Sequence, residues 1–345
     1  MQKPVVLITG IAGFIGYHLS KRLLSEGKFK IVGIDNLNAY YPVSLKEDRL
    51  RDLGLNLPET FDKSCAHEDL EFVHGSIEDR ALVMDLFRRF EPTFVFNLAA
   101  QAGVRYSLEK PFAYSESNVT GFLTILEACR HHEIKHLIYA SSSSVYGNNT
   151  KVPYSEEDPV EQPISLYAAT KRSNELKGYT YSHLYGIPAT GVRFFTVYGP
   201  WGRPDMAYFS FTKRIVNGEG IKVFGHGKPQ RDFTYVDDII SGLTALMNKP
   251  PTADPVPHRL LNIGNHTPVS VMKFIETLEN VIGREAEIEY LDMQPGDVMT
   301  TFADVSRIEK LTGFKPNTEL RDGLVQFWNW FEKYYNVLST AENQG

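Results

Sequence analysis

Residues Val5 to Gly16 constrain this chain more than any other stretch. Val5-Val6-Leu7-Ile8-Thr9 is a short run rich in β-branched and apolar residues, as expected of a strand buried on both faces. Gly10, Gly13 and Gly16 follow at intervals of three, and a helical pattern continues to about Glu26. Glycines at a strand-to-helix junction allow a tight turn and let the backbone approach a pyrophosphate, which the helix N-terminus attracts. A glycine-rich turn of purely structural use would look the same in isolation. Asp35 favours the first reading, because it stands at the end of the second strand, 19 residues after Gly16. That is where a carboxylate binds adenosine ribose hydroxyls. Its charge repels a 2′-phosphate, so the expected cofactor is NAD rather than NADP. Phe14 and Ile15 belong to the same cofactor loop, and Asn36 and Asn38 are expected as further contacts.

The rest of the chain repeats the strand and helix alternation. Ile31 to Ile34, Glu71 to His74, Phe94 to Asn97, His136 to Ser141 and Ala189 to Phe195 read as strands. Helical patterns cover Asp79 to Phe90, Val119 to His132 and Ser165 to Tyr185. This order predicts an α/β fold, a parallel sheet with helices on both faces. Leu37 to Asp69 is too long for a simple connection; it holds a helical stretch near Ser44 to Leu53 and then a polar loop. Beyond Tyr198, short Gly- and Pro-rich segments alternate with helices near Phe209 to Asn217, Val236 to Met247, Val269 to Ile282 and Leu320 to Tyr335. We expect a dinucleotide-binding domain over 1–190, to which a segment of about 233–265 returns, and a smaller, less regular lobe over most of 191–345. Ser339 to Gly345 reads as a frayed tail.

Composition excludes several function classes. The 345 residues are 42% hydrophobic and 23% charged, as in ordinary globular proteins. A net charge of -6 without a dense Lys/Arg run argues against nucleic acid or an anionic membrane surface as the main partner. No apolar run approaches the ~20 residues of a membrane span, and Met1-Gln2-Lys3-Pro4 lacks signal-peptide anatomy. Cys65, in the polar loop, and Cys129, in a helical pattern, are expected as free thiols of a reducing compartment. The expected location is therefore cytoplasmic. His18, His67, His131, His132 and His183 show no metal-ligand spacing, and no metal is expected.

The chemistry lies further along. Tyr167 and Lys171, four apart, share one face of a helix. An ammonium there can stabilise a phenolate and draw the tyrosine pKa below its usual value of about 10. A phenolate is a general base for an alcohol proton. Upstream, Ser141-Ser142-Ser143-Ser144 ends the fifth strand. Four serines give no helical or apolar advantage; they form a self-satisfied polar turn or offer a hydroxyl to a reacting alcohol. Two more strand ends should border the cofactor: Leu98-Ala99-Ala100-Gln101 at the nicotinamide half, and Gly75-Ser76-Ile77 near the adenine. Tight packing at strand-to-helix turns explains both equally well.

These motifs together resemble the extended short-chain dehydrogenase/reductase family, over nearly the whole chain. The carriers are T-G-x-x-G-F-I-G (Thr9 to Gly16), N-L-A-A (Asn97 to Ala100), S-S-x-S-V-Y-G from Ser141, Y-A-A-T-K from Tyr167 and R-F-F-T-V-Y-G-P (Arg193 to Pro200). Q-A-G-V-R-Y-S (Gln101 to Ser107) and W-G-R-P-D-M (Trp201 to Met206) are similar to the UDP-glucuronate 4-epimerase branch. The resemblance implies a Rossmann-type, doubly wound parallel sheet, bound NAD, a UDP-sugar substrate and a homodimer formed through a four-helix bundle. It implies that Tyr167 takes the sugar O4 proton, Lys171 supports it and binds the nicotinamide ribose, and Ser142 orients O4. Ser143, Ser144 and Thr196 would line the sugar pocket. Asn118 matches a family asparagine near the site, although it would equally serve as a helix N-cap.

The same resemblance implies a nucleotide-sugar site. Arg203 would meet the glucuronate carboxylate through paired hydrogen bonds, with Arg105 as a second candidate; either would otherwise be a surface arginine paired with an acid. Arg231 matches an arginine on the UDP diphosphate and Asp297 an acid on the uridine ribose. Met206, Phe209 and Phe224 are candidate walls for uracil, or ordinary core. Two departures stand out: Ser76 replaces a common Asp, weakening the adenine contact, and Gln294 replaces a common Arg. An Asp-Glu pair, needed for 4,6-dehydration, is absent after Ser142. The expected reaction is 4-epimerisation of UDP-glucuronate. The alternatives are a UDP-glucose or UDP-N-acetylglucosamine 4-epimerase, a UDP-glucuronate decarboxylase and a non-catalytic dinucleotide sensor.

Overall fold

The computed structural model describes residues 3–58, 64–253, 255–293 and 299–337. Asp297 and Gln294 lie outside the described residues. The strands are β1 (Val5–Thr9), β2 (Lys30–Asp35), β3 (Ser64–His67), β4 (Leu70–His74), β5 (Phe94–Asn97), β6 (His136–Ser142), β7 (Ala189–Phe194), β8 (Thr196–Tyr198), β9 (Ile221–Phe224), β10 (Gln230–Tyr235), β11 (His258–Ile263), β12 (Pro268–Ser270), β13 (Ile288–Leu291) and β14 (Thr300–Thr301).

Eight strands form one sheet in the order β11-β7-β6-β5-β1-β2-β4-β3. Every pair in it is parallel except β3 with β4. Alternate residues of β1 feed opposite faces: Val6 and Ile8 join one apolar core, Val5 and Leu7 the other. Period-two alternation with both faces apolar is what a sheet covered by helices on each side requires. The fold is thus a Rossmann-type α/β sheet. Strand order reverses at β1, between β2 and β5, so a crevice opens beyond the carboxyl ends of these strands.

β10 pairs with β8, β12 and β14, and β9 pairs with β13; these small sheets lie over that crevice. The helix Val236–Met247 packs on the helix Phe14–Ser25, and β11 adds to β7 at the sheet edge. Among the described residues no helix is long and apolar enough to cross a membrane.

Three local assignments differ from the sequence reading. The loop holding Cys65 contains β3, an antiparallel edge strand whose residues are mostly exposed; without an apolar face it carries no alternation to read. The helix expected from Val119 is preceded by helical turns from Pro111, and Ser115–Gly121 is π-helical. Pro268–Ser270 pairs with β10 before the next helix starts at Val271, where the Ser270 hydroxyl caps Lys273 N–H at 3.1 Å.

Candidate active site

The glycine spacing is a packing requirement. Gly10 has φ +72°, and a Cβ there would lie 2.8 Å from Ala99 N. A Cβ at Gly16 would lie 2.2 Å from the Gly10 carbonyl oxygen. The loop folds on itself, with Gly13 N–H donating to Gly10 O at 2.9 Å. Gly13 caps the helix Phe14–Ser25 without a side-chain hydrogen bond, so N–H groups of the first turn remain for a ligand. Gly10, Gly13, Phe14, Ile15 and Gly16 all line one cleft of about 1380 Å³.

Asp35 ends β2 on the wall of this cleft. Its carboxylate accepts from Ala12 N–H at 3.1 Å and Leu37 N–H at 2.9 Å, so it is fixed to both the glycine loop and the following turn. Asn36 donates to the Ser76 hydroxyl at 3.4 Å. Asn38 accepts twice from Lys46 Nζ, at 2.7 Å through its carbonyl and 3.0 Å through its side chain. Lys46, which sequence reasoning did not single out, is 4% exposed yet borders the cleft. Burial lowers its pKa and the nearby Asp35 charge opposes that. Gly75, Ser76 and Ile77 line the same end.

Opposite them, Leu98, Ala99, Ala100 and Gln101 line the cleft after β5. Thr9 Oγ1 donates to Asn97 Oδ1 at 2.9 Å and accepts from Ala99 N–H at 3.0 Å, locking the β1 and β5 turns together. Asn118 stands near the site, as the resemblance implies, but behind its wall and not as a helix N-cap. It does not line the cleft, and it lies inside the π-helical turn rather than at an N-cap. Its buried carboxamide accepts from Gln101 N–H at 2.8 Å and donates to Gln101 O and Thr170 Oγ1, each at 3.0 Å. It therefore joins the cofactor turn to the helix that carries Tyr167. Only tertiary partners reveal this.

The helix Leu166–Tyr185 is capped by the Ser165 hydroxyl, which accepts from Ala168 N–H at 3.1 Å. Its first turns bring Tyr167 and Lys171 into the cleft beside Ser142, Ser143 and Ser144 at the end of β6. Ser142 Oγ accepts from Ser144 N–H at 3.2 Å and Ser144 Oγ at 2.9 Å. Lys171, 3% exposed, donates from Nζ to the Ala140 carbonyl at 2.9 Å, with Nζ 5.8 Å from the centre of the Tyr167 ring. Burial, reinforced by the charges of Lys177 and Arg203, lowers its pKa to about 8. Burial also raises the Tyr167 pKa; the Ser142 hydroxyl and Arg203 oppose this, while Asp205 adds to it. The protein alone does not deliver the phenolate expected from the Tyr–Lys spacing. Desolvation of the phenol outweighs the favourable neighbours.

One turn further, Glu175 is buried and accepts from Ser141 Oγ at 2.7 Å, Arg193 Nε at 2.7 Å and Arg172 Nη1 at 3.0 Å. This cluster pins the helix that carries Tyr167 to the ends of β6 and β7.

Arg203 is half-buried and lines the same cleft, close enough for its charge to act on both Tyr167 and Lys171. Its guanidinium makes a two-pronged contact with Asp205, at 3.0 Å from Nε and 2.5 Å from Nη2. Tyr40 OH donates to the same carboxylate at 3.0 Å. Partial desolvation works against ionisation of Asp205, but Arg203 and Tyr40 outweigh it and hold the carboxyl below its usual range.

The far end of the cleft opens into a chamber of about 270 Å³ lined by Arg105, Thr196, Met206, Phe224 and Arg231, among others. Arg105 lines both this chamber and the cleft, its guanidinium 5.1 Å from the Phe224 ring centre. Arg231 donates to Gln230 O at 2.8 Å. The neighbouring Asp232 is buried and accepts from the N–H groups of Asn265, His266 and Ala303, fixing the strand that carries Arg231. Phe209 does not reach the chamber. It is 1% exposed and packs among Phe327, Trp330 and Phe331; apolar character alone does not say which core a residue joins.

An enzyme built in this way applies a dinucleotide to an alcohol, and its second lobe offers arginines to an anionic partner. The chain belongs to the NAD-dependent epimerase/dehydratase family, whose model matches residues 6–264. It is 50% identical over 343 residues to protein CapI of Staphylococcus aureus, covering 96% of this chain and 99% of CapI. UDP-glucuronate 4-epimerase 4 of Arabidopsis thaliana is 43% identical over 344 residues, covering 96% of this chain and 76% of that one. The fold matches the crystal structure of UDP-glucuronic acid 4-epimerase from Bacillus cereus in complex with UDP-glucuronic acid and NAD. The TM-score is 0.86 at 33% identity, covering 96% of this chain and 100% of that one. NAD fits the residues present: the glycine loop has no room for side chains, and Asp35 is fixed on the cleft wall beside it.

Proposed function

We propose that this protein interconverts UDP-glucuronate and UDP-galacturonate by inverting C4. The observation that supports the reading is Arg203, which lines the same cleft as Tyr167 and acts on it by its charge; Asp205 holds Nε and Nη2, and Nη1 is the edge that we assign to a sugar carboxylate while O4 faces the tyrosine. NAD, held by the Gly10–Gly16 loop, Asp35 and the Leu98–Gln101 turn, supplies oxidation and re-reduction at C4 and a positive ring that favours a phenolate. Tyr167 takes the O4 proton and later returns it. Ser142 holds O4 by a hydrogen bond. Lys171, anchored on Ala140 O, supports the tyrosine and the ribose. Arg231 anchors the diphosphate, so the sugar can turn without leaving. Ser143, Ser144 and Thr196 line the sugar's path, with Met206 and Phe224 at the uracil end.

A 4-keto glucuronate is a β-keto acid. If the bond from C5 to the carboxylate stands roughly perpendicular to the ketone plane, that bond breaks. Its electron pair becomes an enolate, CO2 leaves and C5 gains a proton, giving a 4-keto pentose that becomes a pentose once the hydride taken from C4 is returned to it. Arg203 suppresses this by holding the carboxylate near the ketone plane. Product analysis with UDP-glucuronate, UDP-glucose and UDP-N-acetylglucosamine side by side tests the reading; turnover of only the neutral sugars would sink it.

Leu108 and Phe112, each 79% exposed, stand on the short helical turns Tyr106–Glu109 and Pro111–Tyr114, which contact the helix Leu166–Tyr185; that helix carries Leu176 and Tyr179, 54% and 51% exposed. A second copy of the chain is the occupant that we assign to this face, making the enzyme a homodimer. A monomer by sedimentation at micromolar concentration would contradict it.

A further inference from the structure

The long connection after β2 carries a charge that the mechanism does not use. Arg49, on the helix Val43–Asp52, is fully buried and does not line the cleft. A guanidinium has five N–H donors, and all five are used. Nη1 donates to Ala12 O and to Tyr41 OH, each at 2.7 Å. Nε donates to Trp201 O at 3.1 Å, and Nη2 donates to Trp201 O at 2.6 Å and Gly202 O at 3.1 Å. One end of this fan is thus the glycine loop, and the other is the turn that leads into Arg203.

That turn needs holding. Trp201 sits at φ +56°, a conformation a bulky residue keeps only where its surroundings impose it. A Cβ at Gly202 would lie 1.7 Å from Tyr208 OH, so the turn packs against that side chain with no room for a larger residue. His18 contacts the preceding carbonyl, Pro200 O, from Nε2 at 2.9 Å; a carbonyl only accepts, so Nε2 carries the proton. Three consecutive carbonyls are therefore gathered by side chains of the cofactor half. From the same connection, Tyr40 holds Asp205, which holds Arg203.

We propose that Arg49 is a positioning residue that registers the Pro200–Arg203 turn, and with it the Arg203 clamp, on the cofactor loop. This rests on the reading of Arg203 as the carboxylate clamp. Lysine at position 49 cannot span both ends, since one ammonium replaces a planar fork.

The test follows NAD-loaded Arg49→Lys with UDP-glucuronate. The variant is expected to keep its NAD, to lose about tenfold in kcat and to divert product to UDP-pentose and CO2. General structural damage slows turnover without changing this partition, so a slower variant that yields only the epimer overturns the proposal. The cycle closes with Arg203→Ala. A double variant with the same pentose fraction as Arg203→Ala supports action through Arg203, whereas losses that multiply contradict it. If Arg203→Ala itself leaks no pentose, the clamp reading fails; amide exchange of the wild-type holoenzyme then decides, as it does if Arg49→Lys does not fold. Peptides over 43–52 and 199–206 should show protection within about threefold of each other. A turn exchanging about a hundredfold faster than the helix overturns the brace.

Discussion

The Lys171 ammonium donates to the Ala140 carbonyl at 2.9 Å while standing 5.8 Å from the centre of the Tyr167 ring. It is thus anchored to strand β6 beneath the tyrosine, in a site that lowers its pKa from 10.5 to about 8. The folded-state value lies below the unfolded one, so the unfolded chain binds more protons between about pH 8 and 10.5. The cost of the buried charge is present in full below pH 8 and fades as the pH rises through that window. Lys171→Met should therefore be more stable than the parent at pH 7. The gain is up to about 3 kcal/mol, less roughly 1 kcal/mol for the lost bond to Ala140. It should disappear by pH 10.5, while turnover is lost at every pH. Lys177, lowered to about 8 by burial, titrates in the same window in both proteins, and loss of the neighbouring Lys171 charge eases its own burial, which adds to the sign of the effect. Denaturant titrations at pH 7 and 10.5 check the sign.

Tyr167→Phe removes the phenol that the proposed mechanism sets beside Ser142 while keeping the ring. We expect turnover to fall by about 10²- to 10⁴-fold, the usual contribution of a positioned acid–base group, with NAD still bound after gel filtration. Near-normal epimerisation by this variant would remove the tyrosine from the mechanism.

Gly10→Ala should be the costliest small change in the cofactor loop. It adds a Cβ at φ +72° and within 2.8 Å of Ala99 N. Left-handed strain and overpacking together predict a loss of roughly 2–5 kcal/mol in stability. Thermal melts and NAD content measure both effects; an unchanged melting curve with full NAD occupancy would contradict the packing argument.

Ser76 contacts Asn36 at 3.4 Å at the end of the cleft that we assign to the adenosine. Ser76→Asp puts a charged acceptor there, and hydrogen bonds to charged groups are stronger by about 1 kcal/mol or more. NAD should then bind roughly tenfold more tightly, as calorimetry of stripped protein would show. Equal or weaker binding would mean that the adenine amino group does not meet residue 76.

Much of the architecture was legible because it rests on local periodicity. The strand Phe94–Asn97 and the helices Val236–Met247 and Leu320–Tyr335 fall where their apolar patterns put them. The edge strand β3 escaped because neither of its faces is apolar. Phe209 lies in the aromatic cluster beneath the helix Leu320–Tyr335, since hydrophobicity marks burial and not location. Lys46 and Arg49 were invisible for the opposite reason. Cations on a helix read as a solvated face, yet here that face is buried and satisfied by backbone carbonyls from two distant loops. The length of the connection after β2 was the one available signal, and it did not say which residues mattered. Asn118, likewise, acts through partners at Gln101 and Thr170 that no spacing rule reports.

The central claim is that C4 of UDP-glucuronate is oxidised and reduced in place, with the label never leaving the protein. UDP-glucuronate carrying deuterium at C4 tests it most directly. The account predicts UDP-galacturonate with the deuterium retained at C4, none in the solvent, and no pentose. UDP-galacturonate lacking the label, or no UDP-galacturonate at all, would contradict it.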